Sequence, residues 1–327
     1  MVFLHFGLLF SHFVDCFWLF GAYGEFYRCI FAALMNTLSS YNIYIIGAGN
    51  VATQLGLAMA RNGFCIRGVW ARQKQSRADF SAALNGEMVE VRDTFEQDGN
   101  SMLSACSCVA FDDLESLVKE ASKHMSLVFF CVSDDAIQLL AQQFACDAQH
   151  VCCVHTAGSV PMRVFEGLVS HFGVIYPLQT LSKGRKVDFS QVPLFVEGSD
   201  EATELLLDDI ARRLSQNVQK LDSQKRKNLH LSAVFACNFP NALFGIAEQL
   251  LADAGVERRM LEPLIKETVE KFFANGAKCS QTGPAVRGDN QVMARHVEML
   301  AEDIEKQEVY KAISNYIRNQ RISDNGQ

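Results

Sequence analysis

The chain from Tyr41 to Leu221 alternates short apolar runs with segments whose apolar residues recur at helical spacing. The runs are rich in β-branched and aromatic residues, and several are apolar at every position, which is typical of strands buried on both faces of a parallel sheet. The predicted strands cover residues 41–46, 65–70, 127–132, 151–154, 172–180, 193–197 and 218–221. Helical spacing follows at residues 53–61, 136–144 and 201–214. The alternation predicts an α/β fold with a doubly wound, mostly parallel sheet.

A different pattern begins after Leu221. The β signal disappears there, and long amphipathic helical patterns follow at residues 222–252, 256–273 and 290–317. All six prolines also lie after residue 160. We therefore expect a sheet domain at residues 40–221 and an all-α C-terminal domain at residues 222–322. The helical domain is expected to supply substrate contacts or the interface of a homodimer.

The first 34 residues differ from the rest, with eight of the chain's 24 phenylalanines and only three formal charges. The stretch Val2–Phe20 approaches the roughly 20 apolar residues of a membrane-spanning helix, although Asp15 lies within it. A secretory signal would begin with basic residues, which are missing here. A third interpretation is that translation starts at Met35. We expect residues 1–39 to be a loosely attached extension of a cytoplasmic protein, with an inner-membrane anchor as the alternative.

Composition narrows the class of function. The 327 residues are 49% hydrophobic and 20% charged, which excludes a disordered or fibrous chain. The net charge of −7, without a long basic run, argues against binding to nucleic acid and favours a small-molecule partner. The eleven cysteines stand singly or as Cys106/Cys108 and Cys152/Cys153, without the spacing of a metal site. We expect buried thiols in a reducing cytosol and no metal.

A glycine-rich segment joins the first predicted strand to the first helix. A dinucleotide pyrophosphate needs backbone N–H groups at a helix N-terminus, and Gly47 and Gly49 remove the Cβ atoms that would block its approach. Ala52 stands where a third glycine is usual, which still allows close packing of the helix on the strand. The sequence therefore predicts a Rossmann-type site, with a plain glycine turn as the alternative. The predicted cofactor-binding residues are Gly47, Gly49, Asn50, Val51 and Ala52.

The loop after the second strand bears on which dinucleotide binds. An NAD-specific site would place Asp or Glu there for the ribose 2′-hydroxyl, and the segment 71–77 contains neither. Arg72, followed by Ser76 and Arg77, instead offers cationic and hydroxyl donors for a 2′-phosphate. We therefore expect NADP(H), with NAD less favoured. The alternative is an ordinary solvated loop.

Two further strands end in polar loops. Ser133 and Asp134 follow residues 127–132, and His155 and Ser159 lie in the His-Thr-Ala-Gly-Ser loop after residues 151–154. Ligands of open parallel sheets bind beyond the carboxyl ends of the strands, so both loops should border the cofactor cleft. Ser133 and Asp134 are predicted to bind cofactor, although they are also typical of a helix cap. His155 and Ser159 are predicted to be catalytic, with a structural histidine as the alternative.

The first helix of the C-terminal domain carries His230, Asn238 and Asn241 among apolar neighbours. At 3.6 residues per turn, Asn241 is offset from His230 by about 20° and Asn238 by about 80°, so the three can share one cleft. His230 is the expected general acid/base, because an unperturbed imidazole titrates near about 6.5. The two asparagines are expected to hold the substrate. The alternative is that they satisfy the helix kink at Pro240.

These motifs resemble known families. The fingerprint and the order of sheet and helices are similar to the pyrroline-5-carboxylate reductase, 6-phosphogluconate dehydrogenase and 3-hydroxyisobutyrate dehydrogenase superfamily. A closer resemblance is to a bacterial group of Rossmann-like proteins with a C-terminal domain of unknown function. The shared segments are Val132–Ile137, His155–Ser159, Tyr176–Thr180, His230–Asn241 and Thr282–Ala285.

The resemblance implies the fold and leaves the substrate open. The β-hydroxyacid dehydrogenases of the superfamily use a Lys with an Asn four residues later, where this chain has His230 and Val234. Their chemistry is therefore not transferred. The resulting hypothesis is an NADP(H)-dependent oxidoreductase acting on a small polar carbonyl or imine. A non-catalytic nucleotide-sensing protein is the alternative.

Overall fold

The computed structural model of the chain describes residues 41–96 and 107–324, so the extension predicted for residues 1–39 lies outside the described residues. The chain divides into two compact units. The first unit ends at Ala233 and the second begins at Val234.

The first unit is built on one eight-stranded sheet among the described residues, with strand order β3-β2-β1-β4-β5-β6-β7-β8. Neighbouring strands run parallel except for the antiparallel pair β6 and β7. The prediction of a doubly wound, mostly parallel sheet is confirmed. The strands are β1 (Asn42–Ile46), β2 (Ile66–Trp70), β3 (Val109–Ala110), β4 (Ser126–Phe130), β5 (Val151–His155), β6 (His171–Pro177), β7 (Leu194–Gly198) and β8 (Val218–Lys220).

The central strands are apolar at nearly every position because both faces of the sheet are covered. In β1, Ile43 and Ile45 belong to one buried cluster, whereas Tyr44 and Ile46 belong to the other. All five residues of β4 are buried. Alternate residues of one strand therefore enter two separate hydrophobic layers, as expected for a parallel sheet between helices.

Six helices accompany the sheet in the described part of the first unit. They are α1 (Asn50–Arg61), α2 (Lys74–Glu96), α3 (Leu114–Ala121), α4 (Asp134–Phe144), α5 (Glu201–Leu214) and α6 (Ser223–Ala233). The helical pattern at residues 201–214 predicted α5. The helices α2 and α3 were not predicted from the sequence. The helix α3 has only eight residues, too few for a periodic pattern to stand out. The backbone N–H of Ser116 donates to the Asp113 carboxylate at the start of α3 (2.7 Å).

The second unit is helical, which confirms the predicted all-α character of the C-terminal region. It contains α7 (Phe239–Asp253), α8 (Glu262–Ser280), α9 (Pro284–Arg287), α10 (Asn290–Met299) and α11 (Ile304–Asp324). The helix expected over residues 222–252 is interrupted by a π-helical segment at Val234–Asn238. The pattern at residues 290–317 is divided between α10 and α11.

Burial in the second unit is sparse. Only Ala285 and Met293 are buried among its described residues. Its exposed large apolar side chains include Phe235, Phe239, Leu264, Phe272 and Phe273. The run Ser223–Asp253 is long and apolar enough to cross a membrane by length and composition alone.

The cysteines follow the prediction only in part. Cys131, Cys152 and Cys153 are buried thiols in the first unit, and burial raises the pKa of Cys131 to about 12. Cys237 and Cys279 are exposed, and Cys65 is disulfide-bonded. The expectation of buried, free thiols is therefore wrong at these three positions, and Cys146 is only half-buried.

Candidate functional site

A cleft of about 750 Å³ lies at the carboxyl ends of β1, β2 and β4. This is where the strand order changes direction and where open α/β sheets bind their ligands. Its volume falls within the range of small-molecule sites. From the sequence-predicted cofactor residues it includes Gly47, Gly49, Asn50, Val51, Arg72 and Ser133.

Gly47 allows the close approach of β1 and β4 at the base of the cleft. Its φ of +116° is strained for any residue with a side chain, and an added Cβ would lie 2.2 Å from the Cys131 carbonyl oxygen. Ala52 lies apart from the cleft and is fully buried in the core. It therefore packs α1 against the sheet, as predicted, but the structure does not bring it to the cofactor cleft as a binding residue.

The N-terminus of α1 is open to an anion. Its N-cap residue, Gly49, gives no side-chain hydrogen bond to the helix, and the first turn contains no acidic residue. A Cβ added at Gly49 would meet no atom within 4 Å. The backbone N–H groups of the first turn are therefore accessible, and the positive end of the helix dipole favours a phosphate there. The geometry fits a dinucleotide pyrophosphate.

Arg72 is the part of the predicted 2′-phosphate site that faces the cleft. Within the described part of the chain its guanidinium makes no hydrogen bond or ion pair, and Ser76 lines the cleft beside it. Arg77 instead is buried and donates to the Ala71 carbonyl oxygen (3.1 Å) and the Asp112 carboxylate (2.7 Å). The expectation that Arg77 binds phosphate is therefore wrong. No described residue that lines the cleft is an Asp or Glu.

Ser133 and Asp134 take different positions. Ser133 lines the cleft and makes no side-chain hydrogen bond to the start of α4. The Asp134 carboxylate accepts a hydrogen bond from the Ser159 hydroxyl, and both residues line a neighbouring groove. Asp134 was predicted to bind the cofactor, but in the structure it does not line the cofactor cleft. Asp134 and Ser159 instead join the start of α4 to the loop after β5.

His155 does not have the environment predicted for a proton-transfer group. Its side chain is fully buried, and the backbone N–H of Ala157 donates to its Nδ1 atom (3.2 Å). Burial lowers the pKa of His155 to about 3, and the positive charge of Arg226 adds to this effect. A backbone hydrogen bond to Pro161 acts in the opposite direction and raises the pKa. The imidazole is therefore neutral and internal. The alternative interpretation, a structural histidine, is the one that the geometry favours.

His230 lies beside a residue that the sequence analysis did not single out, Tyr176. The His230 Nδ1 atom is 3.1 Å from the Tyr176 hydroxyl oxygen. Both rings pack on Gly158, where an added Cβ would lie 2.7 Å from His230 Nδ1 and 2.8 Å from Tyr176 Cζ. The glycine of the His-Thr-Ala-Gly-Ser loop is thus what allows a phenol and an imidazole to meet. Burial raises the pKa of Tyr176, and the nearby Asp134 charge adds to the effect.

The two asparagines are not buried, although their neighbours in sequence are apolar. Asn238 and Asn241 belong to the second unit, and both are exposed. Asn238 ends the π-helical segment. A π-helix takes more residues per turn than an α-helix, so the angular offsets calculated for a regular helix do not hold. The role of these asparagines as substrate contacts therefore stays a prediction, without the support of a shared face on a regular helix.

A buried polar network supports the loop that carries Gly158. The Arg226 side chain, with no exposed surface, donates to the Glu197 carboxylate and to the Val160 carbonyl oxygen. The Ser223 hydroxyl donates to the same carboxylate (2.7 Å) and accepts from the backbone N–H of Met162 (3.0 Å). The only sequence signal for this network was one Glu within an apolar strand. Its partners come from distant parts of the chain, so the sequence did not identify them.

Comparison with known proteins gives the following matches. A family model described as a domain of unknown function, DUF2520, matches residues 192–317. A Bacteroides fragilis protein named a putative NADP oxidoreductase is 36% identical, with a TM-score of 0.73, over 86% of this chain and 99% of its own. No curated protein sequence matches the chain.

Two more distant structures also match the chain, and the first of them has the same kind of fold. A Thermotoga maritima protein is 20% identical, with a TM-score of 0.61, over 85% of this chain and 98% of its own. The pyrroline carboxylate reductase of Plasmodium falciparum, solved with NADP bound, is 10% identical, with a TM-score of 0.48, over 86% of this chain and 99% of its own.

Proposed function

Because this chain belongs to the family of Rossmann-type proteins that end in the DUF2520 domain, we propose that it is an NADP(H)-dependent oxidoreductase. Its substrate is a small polar carbonyl, an imine or the corresponding reduced compound. One observation carries the cofactor assignment: the cleft combines an uncapped helix N-terminus with the unpaired Arg72 guanidinium and has no described acidic residue in its lining. Such a lining suits the charges of NADP(H).

The pairing of Tyr176 with His230 supports a proton-transfer role for His230. Bound NADPH would supply the hydride, and the protein must then supply orientation and a proton. His230 is half-buried, and its Nδ1 atom lies within hydrogen-bond distance of the Tyr176 hydroxyl oxygen (3.1 Å). The Tyr176 contact fixes the orientation of the imidazole. The other ring nitrogen, Nε2, then remains for a substrate.

The proposed function is tested by binding and turnover. Purified protein should bind NADPH more tightly than NADH, and Arg72→Ala should remove that preference. A screen of small keto acids, aldehydes and cyclic imines, followed by loss of the reduced-nicotinamide absorbance, should then find a substrate. If NADPH binds and no substrate turns over, the nucleotide-sensing alternative is the better account. If neither cofactor binds, the proposed function is wrong.

The proton-transfer step has its own test once a substrate is found. His230→Ala should lower kcat by about 10²- to 10⁴-fold, the usual contribution of general acid/base catalysis, with little change in NADPH affinity. Tyr176→Phe should keep NADPH affinity and move the pH dependence of kcat, because it removes only the partner of the imidazole. Asn238 and Asn241 stay proposed substrate contacts, and Asn241→Ala should mainly raise KM.

We also propose that the second unit associates with a second copy of the chain, in the cytosol. Its α7 and α8 contain no buried residue, and a helical unit without a core does not explain its own stability. Exposed ion pairs such as Arg258–Glu248 and Lys266–Glu262 accompany the apolar side chains. These charged positions favour a protein partner over lipid around the unit. A single apolar helix is weak evidence for a membrane span.

A further inference from the structure

Lys183 is the second cationic side chain of the cleft, and it comes from a remote part of the chain. It lies in the loop after β6, in the segment Ser182-Lys183-Gly184-Arg185-Lys186, and it lines the cleft together with Gly47–Val51. It is exposed, and its ammonium group has no hydrogen-bond or ion-pair partner among the residues described. A free charge in a cleft without acidic lining is available to an anionic ligand.

Gln54 fixes the part of the loop that carries this lysine. It lies in α1, just beyond the glycine fingerprint, and its side chain is buried. Its Nε2 atom donates to the carbonyl oxygens of Ser182 (2.8 Å) and Arg185 (3.0 Å). Both amide hydrogens of one buried side chain thus hold the backbone on either side of Lys183, because leaving them unpaired would be unfavourable.

Apolar contacts hold the two ends of the loop. Leu181 and Val187, which flank the cationic segment, pack against the hydrophobic core of the first unit. The loop is therefore attached at both ends by packing and near its middle by Gln54. The segment between these attachments is polar, and Lys183 alone of its three cations lines the cleft.

We propose that Lys183 binds the pyrophosphate of the dinucleotide and that Gln54 is the residue that positions it. The inference rests on the proposed cofactor. Gln54 ties the loop to α1, whose open N-terminus is the pyrophosphate end of the cleft, whereas Arg72 lies after β2 on the side of the adenosine ribose. The two cations therefore have separate tasks. Lys183 contributes affinity for any dinucleotide, and Arg72 contributes the preference for a 2′-phosphate.

The roles proposed for Lys183 and Arg72 predict different results in cofactor titrations. Dissociation constants for NADPH and NADH are measured by calorimetry for the wild type, Lys183→Ala and Arg72→Ala. Lys183→Ala should weaken both cofactors by the same factor, about 10- to 100-fold, as expected for a charge-assisted hydrogen bond. Arg72→Ala should weaken NADPH alone. Adenosine 2′-monophosphate, which carries the 2′-phosphate and has no phosphate at the 5′ position, should bind Lys183→Ala as it binds the wild type.

Matched variants distinguish a direct contact of Lys183 with the cofactor from a general effect of the positive charge of the loop or of lower stability. Arg185→Ala and Lys186→Ala remove exposed cations of the same loop that do not line the cleft, and they should change either affinity less than threefold. Gln54→Leu should weaken both cofactors, and the double variant with Lys183→Ala should bind no more weakly than Lys183→Ala alone. Such non-additivity shows that Gln54 acts through the lysine, which a merely destabilised fold would not produce.

Each contrary outcome has a distinct meaning. If the wild type binds neither cofactor, the proposed function fails. If the wild type binds NADPH and Lys183→Ala binds both cofactors equally well, the role of Lys183 is overturned and the proposed function stands. If Lys183→Ala weakens only NADPH, the lysine belongs to the 2′-phosphate, and the assignment to the pyrophosphate is wrong. If the losses from Gln54→Leu and Lys183→Ala add, Gln54 is not the positioning residue.

Discussion

β4 and α7 are both strongly apolar in sequence, yet they have opposite environments in the folded chain. Every residue of β4 is buried, whereas none of the fifteen residues of α7 is. An apolar pattern indicates that a segment is to be buried, but it does not identify the element or chain against which the segment packs. In the sheet unit, helices on both faces bury the apolar strands, whereas the apolar side chains of the helical unit are exposed, which is the basis of the proposed dimer. The variants that follow test this difference between the two units.

The largest stability difference is expected between two arginines. Arg226→Ala, in the sheet unit, should lower the free energy of unfolding by about 3–5 kcal/mol, because it leaves the Glu197 carboxylate without the buried partner that it has now. Arg258→Ala, in the helical unit, breaks an exposed pair with Glu248 (3.0 Å) and should have the small effect typical of surface ion pairs. Urea unfolding of both variants gives the comparison. Equal losses would contradict the view that the Arg226–Glu197 pair contributes more to stability than the exposed Arg258–Glu248 pair.

A second comparison concerns exposed apolar side chains. Phe235 and Phe239 pack edge to face, with ring centroids 4.9 Å apart, and remain 63% and 48% exposed. Phe239→Glu should weaken self-association by about 30-fold or more, as expected for a central aromatic residue worth at least about 2 kcal/mol. Leu205→Glu, at an exposed position on α5, should leave it unchanged. Sedimentation velocity across a concentration series measures both, and a wild type that is monomeric throughout would refute the proposed dimer.

The two glycines of the fingerprint are expected to have different roles: Gly47 in the stability of the sheet unit and Gly49 in cofactor binding. Gly47→Ala should destabilise the sheet unit by at least about 1–3 kcal/mol from backbone strain alone, and the contact with the Cys131 carbonyl adds to this. Gly49→Ala meets no neighbouring atom and should change stability by less than about 0.5 kcal/mol. It should still weaken NADPH binding, because its methyl group stands where the pyrophosphate approaches. Thermal unfolding and cofactor titration test the pair, and similar melting temperatures would contradict the structural role of Gly47.

The sheet was largely predictable, because strands such as β4 are apolar at nearly every position and are followed by polar loops. The helices α2 and α3 were not: α2 has only a weak apolar stripe, and α3 is amphipathic but has only eight residues. In the helical unit, the pattern of residues 222–252 indicated a helix but not the π-helical segment within it. That segment changes the register on which the site of His230, Asn238 and Asn241 depended.

The candidate site was predictable where a local motif determines it. Gly47 and Gly49 identify a turn whose geometry is set within a few residues, and Arg72 follows a strand at a fixed position. Tyr176, Lys183 and Gln54 depend on contacts between segments far apart in sequence, which no local pattern records. His155 was assigned to the site because a loop sequence does not show which way its side chains point.

The last comparison concerns the acid sensitivity of the sheet unit. Burial, and then Arg226, lower the pKa of His155 to about 3 in the folded chain, whereas an unfolded histidine titrates near about 6.5. Between these pH values the unfolded state binds a proton that the folded state does not, so the free energy of unfolding falls as the pH drops below about 6.5. The slope from this residue is at most about 1.4 kcal/mol per pH unit. In His155→Asn the amide oxygen can still accept from the Ala157 N–H and no longer titrates, so urea unfolding between pH 7 and pH 4 should show a weaker dependence on pH. Parallel curves for the wild type and the variant would show that the histidine is not held neutral inside the sheet unit.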